Sequence, residues 1–282
     1  MNQYKTLLWL GWLLVLVMLL ACEPPEDDND RDPPPPEEED AAVEETPDCQ
    51  LTLGWDPWEP YHYLDPRGQV SGLDIELVEA AAEKIDCEIE YRQANFARLL
   101  SMVREGDVDI VPGATVSEAR KEYAHFSEPY REEYVNLWVR AAEQADLKGR
   151  TLEDMLRAER RIGVTEGFVY GDEVEEVLNK EEYRDLIINA RLTEINLMRL
   201  IDHDLGGFLA DPFVINSIQR RLGIEGEISA LGDPVRQGTV SLMFSLESVD
   251  SDIRERFDGA LAELREDGTK ERILERYTPA ME

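Results

Sequence analysis

Alternation of element types restricts this chain more than any other feature. From residue 49 to residue 111, short apolar strands take turns with amphipathic helices. Residues 49–55 (CQLTLGW) alternate apolar and polar side chains as a strand does. Residues 73–85 (LDIELVEAAAEKI) form an amphipathic helix with apolar Leu73, Ile75, Leu77, Val78, Ala81, Ala82 and Ile85. A second strand follows at 87–91 (CEIEY), a second helix at 96–104 closed by Gly106, and a third strand at 109–111. This order predicts βαβ units and a parallel sheet. The alternation resumes with strands at 134–140, 161–164, 186–190, 206–211 and 240–244. Helices separate them at 173–180, 194–201 and 213–222, with Asp172 as the expected cap of the first, and the chain closes on helices 252–264 and 270–277. Two similar α/β halves follow, and a cleft beyond the carboxyl ends of their strands is the expected ligand site.

The first 48 residues cannot join that core. Lys5 precedes an uninterrupted apolar run at 7–20 (LLWLGWLLVLVMLL), of signal-peptide length and short for a spanning helix. The run ends in Leu19-Leu20-Ala21-Cys22, which resembles the lipobox of bacterial lipoproteins, in which cleavage precedes a cysteine that is then lipidated. An uncleaved anchor is the other reading, and both place the rest of the chain on the exported side of a membrane. Residues 23–48 hold thirteen acids, one arginine and seven prolines. With no apolar periodicity and four consecutive prolines, they are expected to form an extended tether. The whole chain carries a formal charge of −33, which excludes nucleic acid as a partner.

The three cysteines follow from this layout. Cys22 is the expected lipid site. Cys49 and Cys87 open consecutive strands that would lie side by side in a parallel sheet. In an oxidising compartment they could form a disulfide, whereas a register shift of one residue would turn one side chain away.

The most informative stretch is 107–130, DVDIVPGATVSEARKEYAHFSEPY. A buried strand runs into Pro112-Gly113-Ala114-Thr115, small residues that let a ligand approach the backbone. Ser117 then caps a helical start with Arg120 in its first turn, where a cation opposes the helix dipole. An arginine in such a place is either a solvated surface residue or one kept to grip an anion through two parallel hydrogen bonds.

Five segments in order resemble the bacterial extracellular solute-binding proteins of family 3, the amino-acid-binding receptors of ABC importers. They are LTLGWDPWEPY with GLDIELVEAAAEKI, then GDVDIVPGATVSEARKEYAHFSEPYREEYVNLWVR, RIGVTEG, FLADP and LAELREDGTKERILERY. The resemblance covers residues 49–282 and implies a two-lobed α/β periplasmic-binding-protein fold. Lobe one would comprise 49–140 and 236–282, lobe two 141–235, with a two-strand hinge between them. It implies a monomer that binds a small amino-acid-like solute, partners an inner-membrane ABC permease and needs no cofactor or metal. The signal peptide (1–21) and tether (22–48) would hold it in the periplasm on a lipid anchor.

By position, the resemblance gives Arg120 to the ligand α-carboxylate, Gly113 and Thr115 to its backbone groups, and Asp211 to its α-ammonium. Trp58 and Phe96 would flank the ligand side chain, and Asp56 sits where some members choose cationic side chains. Where the family commonly has Gly-Thr-Thr, this chain has Gly167-Phe168-Val169. Backbone N–H groups would then replace two hydroxyls, and Phe168 would add a third ring. Each residue also has a plainer reading: Trp58 and Phe96 as core aromatics, Asp211 as a helix cap, Asp56 as a turn residue. His62, His125 and His203 show no ligand spacing and are read as structural. No nucleophile motif or phosphate loop is present. Two other functions remain open on the same scaffold. One is a cyclohexadienyl-dehydratase-like enzyme, whose acid would be Glu166; the other is a sensory receptor without a transporter. Replacing the lipid site, Cys22→Ser, is expected to release the chain from membranes into the soluble fraction; continued sedimentation with membranes would make the apolar run itself the anchor.

Overall fold

A computed structural model describes residues 49–281, with side chains through residue 277. The expected signal peptide, Cys22 and the tether lie outside the described residues.

The first lobe forms as the alternation predicts. Strand β1 (Gln50–Trp55) leads through a short hairpin, β2 (Tyr63–Leu64) and β3 (Val70–Ser71), into helix α1 (Leu73–Lys84). Strand β4 (Glu88–Gln93), helix α2 (Phe96–Glu105) and strand β5 (Ile110–Ala114) follow. β1 pairs in parallel with both β4 and β5. Asn95 caps α2 by accepting the Arg98 N–H, and Gly106 ends it in the left-handed conformation. β5 runs on through Pro112 and Gly113, two residues expected to end it. The short helix α3 (Glu118–Lys121) is capped by Ser117, and strand β6 (Ala124–Phe126) precedes the long strand β7 (Arg131–Arg140).

The second lobe contains helices α4 (Gln144–Leu147) and α5 (Leu152–Arg157), then strand β8 (Ile162–Thr165) and helix α6 (Asp172–Leu178). Strand β9 (Ile187–Ala190), helix α7 (Thr193–Ile201), strand β10 (Gly207–Ala210), helix α8 (Pro212–Leu222) and strand β11 (Ile228–Ala230) complete it. Gly171, not Asp172, is the cap of α6; its positive φ of 86° suits glycine, and Asp172 becomes the first helical residue. Strand β12 (Arg236–Ser245) and helices α9 (Ser251–Glu266) and α10 (Thr269–Met281) return to the first lobe.

β7 and β12 join the two sheets. Residues 131–135 of β7 pair antiparallel with residues 236–240 of β12. Beyond that crossing β7 enters the second sheet beside β10 and β11, while β12 enters the first beside β5 and β6. Both strands begin earlier than the hydrophobic pattern predicts. Their extra residues are charged and polar, so no apolar alternation marks them, yet Arg131 and Glu133 are buried because each finds an opposite charge.

Beneath the crossing, Arg131 donates to both carboxylate oxygens of Asp74 at 2.7 and 2.9 Å, and neither side chain reaches solvent appreciably. The pair ties the first turn of α1 to the hinge strand. Gly113 passes directly over it with φ 68°; an added Cβ would stand 3.2 Å from Arg131 Nη2 and 3.3 Å from Asp74 Oδ2. At the far end of the first sheet, Cys49 and Cys87 are bonded, 4.6 Å apart at Cα, in the register that pairs Gln50 with Glu88.

Removing one member of a buried ion pair strands the other charge. Asp74→Ala should therefore lower the unfolding free energy by about 3–5 kcal/mol in urea titration, and replacing both, Asp74→Leu with Arg131→Met, should recover most of it.

Candidate functional site

The site is built from the carboxyl ends of five parallel strands, β1, β4 and β5 in the first lobe and β8 and β10 in the second. After β1 the chain turns at Asp56-Pro57-Trp58, and Trp58 and His62 close the turn through the Trp58 N–H to His62 carbonyl bond at 2.8 Å. α2 begins with Phe96, and β5 delivers Gly113, Thr115 and then Arg120. From the second lobe, the loop after β8 supplies Phe168, Val169 and Tyr170, and the end of β10 supplies Asp211. These residues, with Glu133 and Val135 from β7, line one cavity between the lobes, of about 490 Å³ of unfilled space partly open to solvent. All eight ligand-site residues expected from the sequence lie on its wall.

Three rings meet across the cavity. Phe168 stands edge-on to Trp58 at 5.8 Å between centroids and to Phe96 at 5.3 Å. Tyr170 backs it at 6.3 Å. Phe168 thus packs on the apolar clusters of both lobes.

Arg120 is buried rather than solvated. Its Nη1 donates to the Thr115 carbonyl at 2.5 Å, and its Nη2 reaches across the cleft to the Gly167 carbonyl at 2.7 Å. The guanidinium lies 5.3 Å from the Phe96 ring. Burial lowers its pKa from the ordinary arginine value, with Tyr123 and Glu133 acting against that fall. The Gly113 N–H donates to the Tyr130 hydroxyl at 2.8 Å. Thr115 Oγ1 donates to Glu133 Oε2 at 3.4 Å and accepts from Arg236 Nη2 at 3.2 Å.

Asp211 does two things at once. Oδ1 caps α8, accepting the N–H groups of Phe213 at 2.8 Å and Val214 at 3.1 Å. Oδ2 accepts from the Tyr61 hydroxyl at 3.1 Å, and the residue lines the cavity. The two readings open in the sequence, helix cap and cleft carboxylate, are therefore compatible. Burial pushes its pKa up to about 7, against the opposing pull of Arg131 and the cap N–H groups. Burial likewise raises Asp56, with His62 opposing.

His62, expected to be structural, stands in the cavity wall, 3.5 Å from Asp56 Oδ1 with its Nδ1 also against the Asp56 carbonyl. Glu166 does not line the cavity; it is half-buried, with its backbone N–H bonded to Ala190. The acidic groups that do face the cavity are Asp56, Glu133 and Asp211. Sequence reasoning missed Glu133 and its partner Arg236, which lie 103 residues apart and leave no local signal. Tyr61 ends the quoted segment LTLGWDPWEPY, but its bond to Asp211 spans 150 residues.

The profile of the bacterial extracellular solute-binding proteins, family 3, matches residues 51–280. The probable amino-acid-binding protein YxeM of Bacillus subtilis (strain 168) is 26% identical over 222 residues, covering 77% of this chain and 79% of that protein. An ancestral arginine-binding protein bound to arginine superposes with a TM-score of 0.69 at 22% identity, covering 81% of this chain and 97% of the other. An ancestral amino-acid-binding protein, a precursor of cyclohexadienyl dehydratase, superposes with a TM-score of 0.65 at 19% identity, over 81% of this chain and 95% of the other. The fold is that of these periplasmic binding proteins, and the chain belongs to the bacterial extracellular solute-binding proteins, family 3.

Proposed function

We propose that this chain is the capture component of an ABC importer, exported and held to a membrane through Cys22, and that its cleft takes an amino acid or a related small polar solute. The observation that carries this reading is the composition of one inter-lobe cavity. A buried carboxylate, Asp211, shares it with the ring cluster of Trp58, Phe96 and Phe168 and with an arginine that spans both lobes. Asp211 would accept the solute's ammonium, the rings would hold its stem, and Arg120, Gly113 and Thr115 would form the opposite wall. Closing the lobes excludes water and strengthens each charged contact. Asp56, also in the cavity wall, would supply a second carboxylate for a cationic side chain.

Capture rather than catalysis is the reading we favour, because the curated relative and the solved neighbours compared above are described as binding proteins. A dehydratase would draw on Asp211, the more clearly raised of the two raised carboxyls in the cavity, not on Glu166. Incubation with prephenate should yield no product.

Asp211→Asn separates the two duties of that residue. Asparagine caps helices as well as aspartate does, so the melting temperature should hold or rise, while calorimetric affinity for a cationic solute should fall by about 10- to 100-fold. The pH dependence has a definite sign. The folded chain holds the Asp211 proton more tightly than the unfolded chain, so this group's contribution to stability falls as pH rises from the ordinary carboxylate range through about 7. Binding of an ammonium needs the ionised form, so affinity should rise with pH and level off above about 7, and Asp211→Asn should remove that dependence.

Arg120→Ala removes the bond from the first lobe to Gly167. It should abolish calorimetric binding with little change in the melting curve; undiminished affinity would sink this assignment.

A further inference from the structure

The anion end of the cavity is already occupied by the protein itself. Glu133 projects from the hinge strand into the wall, with its side chain almost fully buried. Its carboxylate accepts from Arg236 and from the Thr115 hydroxyl, the hydroxyl expected to serve a ligand. Arg236 in turn is held in a prepared slot. A Cβ at Gly238 would stand 2.8 Å from its Nη2, and one at Gly171 would stand 3.1 Å from its Cδ, so two glycines leave room for the guanidinium. Gly238 is the register partner of Glu133 across the hinge.

Part of the remaining donor set at this end is committed as well. Arg120 gives two of its five guanidinium N–H groups, one on Nη1 and one on Nη2, to the carbonyls of Thr115 and Gly167, and the Gly113 N–H is bonded to Tyr130. Phe168 and Val169 bring no side-chain donor from the second lobe. The Thr165 hydroxyl lies 3.3 Å from that of Thr193 and does not line the cavity.

Charge points the same way. The carboxyl groups of Asp56, Glu133 and Asp211 line the cavity with the Arg120 guanidinium, while His62 stands beside Asp56 and Arg236 is paired with Glu133. A zwitterion would bring a fourth carboxylate up against Glu133. A ligand without that carboxylate avoids this repulsion, and its cationic ends would lie against the rings of Trp58, Phe96 and Phe168 and on Asp56 or Asp211.

We infer that Glu133 stands in for the ligand carboxylate, and that the cleft takes a cation without an α-carboxylate: an aliphatic diamine or an amino-guanidine. This rests on the solute-receptor reading and narrows its ligand class. Arg120 is then a bridge that closes the lobes, and Arg236 with Glu133 is a built-in replacement for half of an amino acid.

Paired probes that differ only in the carboxylate test it on the full chain. Calorimetry with agmatine against L-arginine, and with cadaverine against L-lysine, should show the amine bound at least tenfold more tightly in at least one pair. Amino acids bound as tightly as or more tightly than their decarboxylated partners would overturn the inference and leave the receptor reading standing. Failure of these four probes and of L-glutamine to bind would overturn both. Glu133→Gln, and Glu133→Gln with Arg236→Met to avoid stranding the arginine, should each reduce the amine preference by tenfold or more. A preference kept intact in the double variant, with an unchanged melting temperature, would also overturn it.

Discussion

Everything at the cleft hangs from one ion pair that never meets water. Arg131 and Asp74 join the hinge strand to the first turn of α1 by two parallel hydrogen bonds. Burial alone would disfavour both charges by several kcal/mol. The surroundings compensate: the Tyr61 ring lies 3.8 Å from the Arg131 guanidinium, and Asp74, Tyr61 and Tyr130 together hold its pKa above the ordinary arginine value despite burial. From Arg131 the contacts lead outward. Tyr61 passes a hydrogen bond to Asp211 in the second lobe, and Tyr130 takes the Gly113 N–H in the first. Because Gly113 has no side chain, the strand end can lie flat on the pair. The floor of the cleft is therefore a rigid polar layer spanning both lobes.

Above that floor the cleft combines opposite demands. The two lobes approach closely enough for Arg120 to bond Gly167 and for Phe168 to enter between Trp58 and Phe96. Yet the same wall carries carboxyl groups that burial pushes toward neutrality, most clearly Asp211. An incoming cation relieves that burden, whereas an incoming anion would add to it. On the proposed reading, electrostatics would set the sign of the ligand charge and the rings its shape.

Much of this was legible in the residues. Period-two strands and amphipathic helices predict the βαβ order, and the small residues at the end of β5 mark the place where the backbone borders a cavity. Arg120 was legible as a misplaced cation because a charge opposing a helix dipole is a local conflict. The strand starts at Arg131 and Arg236 were not legible: buried charge looks like exposed charge until its partner is known, and Asp74 is 57 residues from Arg131. Glu133 and His62 escaped for the same reason. Their meaning lies in neighbours brought by the fold, and spacing along the chain carries no trace of that. Asp211 could be read as a cap or as a cleft carboxylate because its two oxygens serve different purposes.

Phe168 has a thermodynamic consequence for motion. The ring belongs to the second lobe but completes apolar clusters in both, so separating the lobes exposes apolar surface much as partial unfolding does. Opening then carries a positive heat-capacity change, and the balance between open and shut follows the curvature of hydrophobic burial, loosening on cooling. With a ring at residue 168 that contact between the lobes is hydrophobic, and its strength depends on temperature.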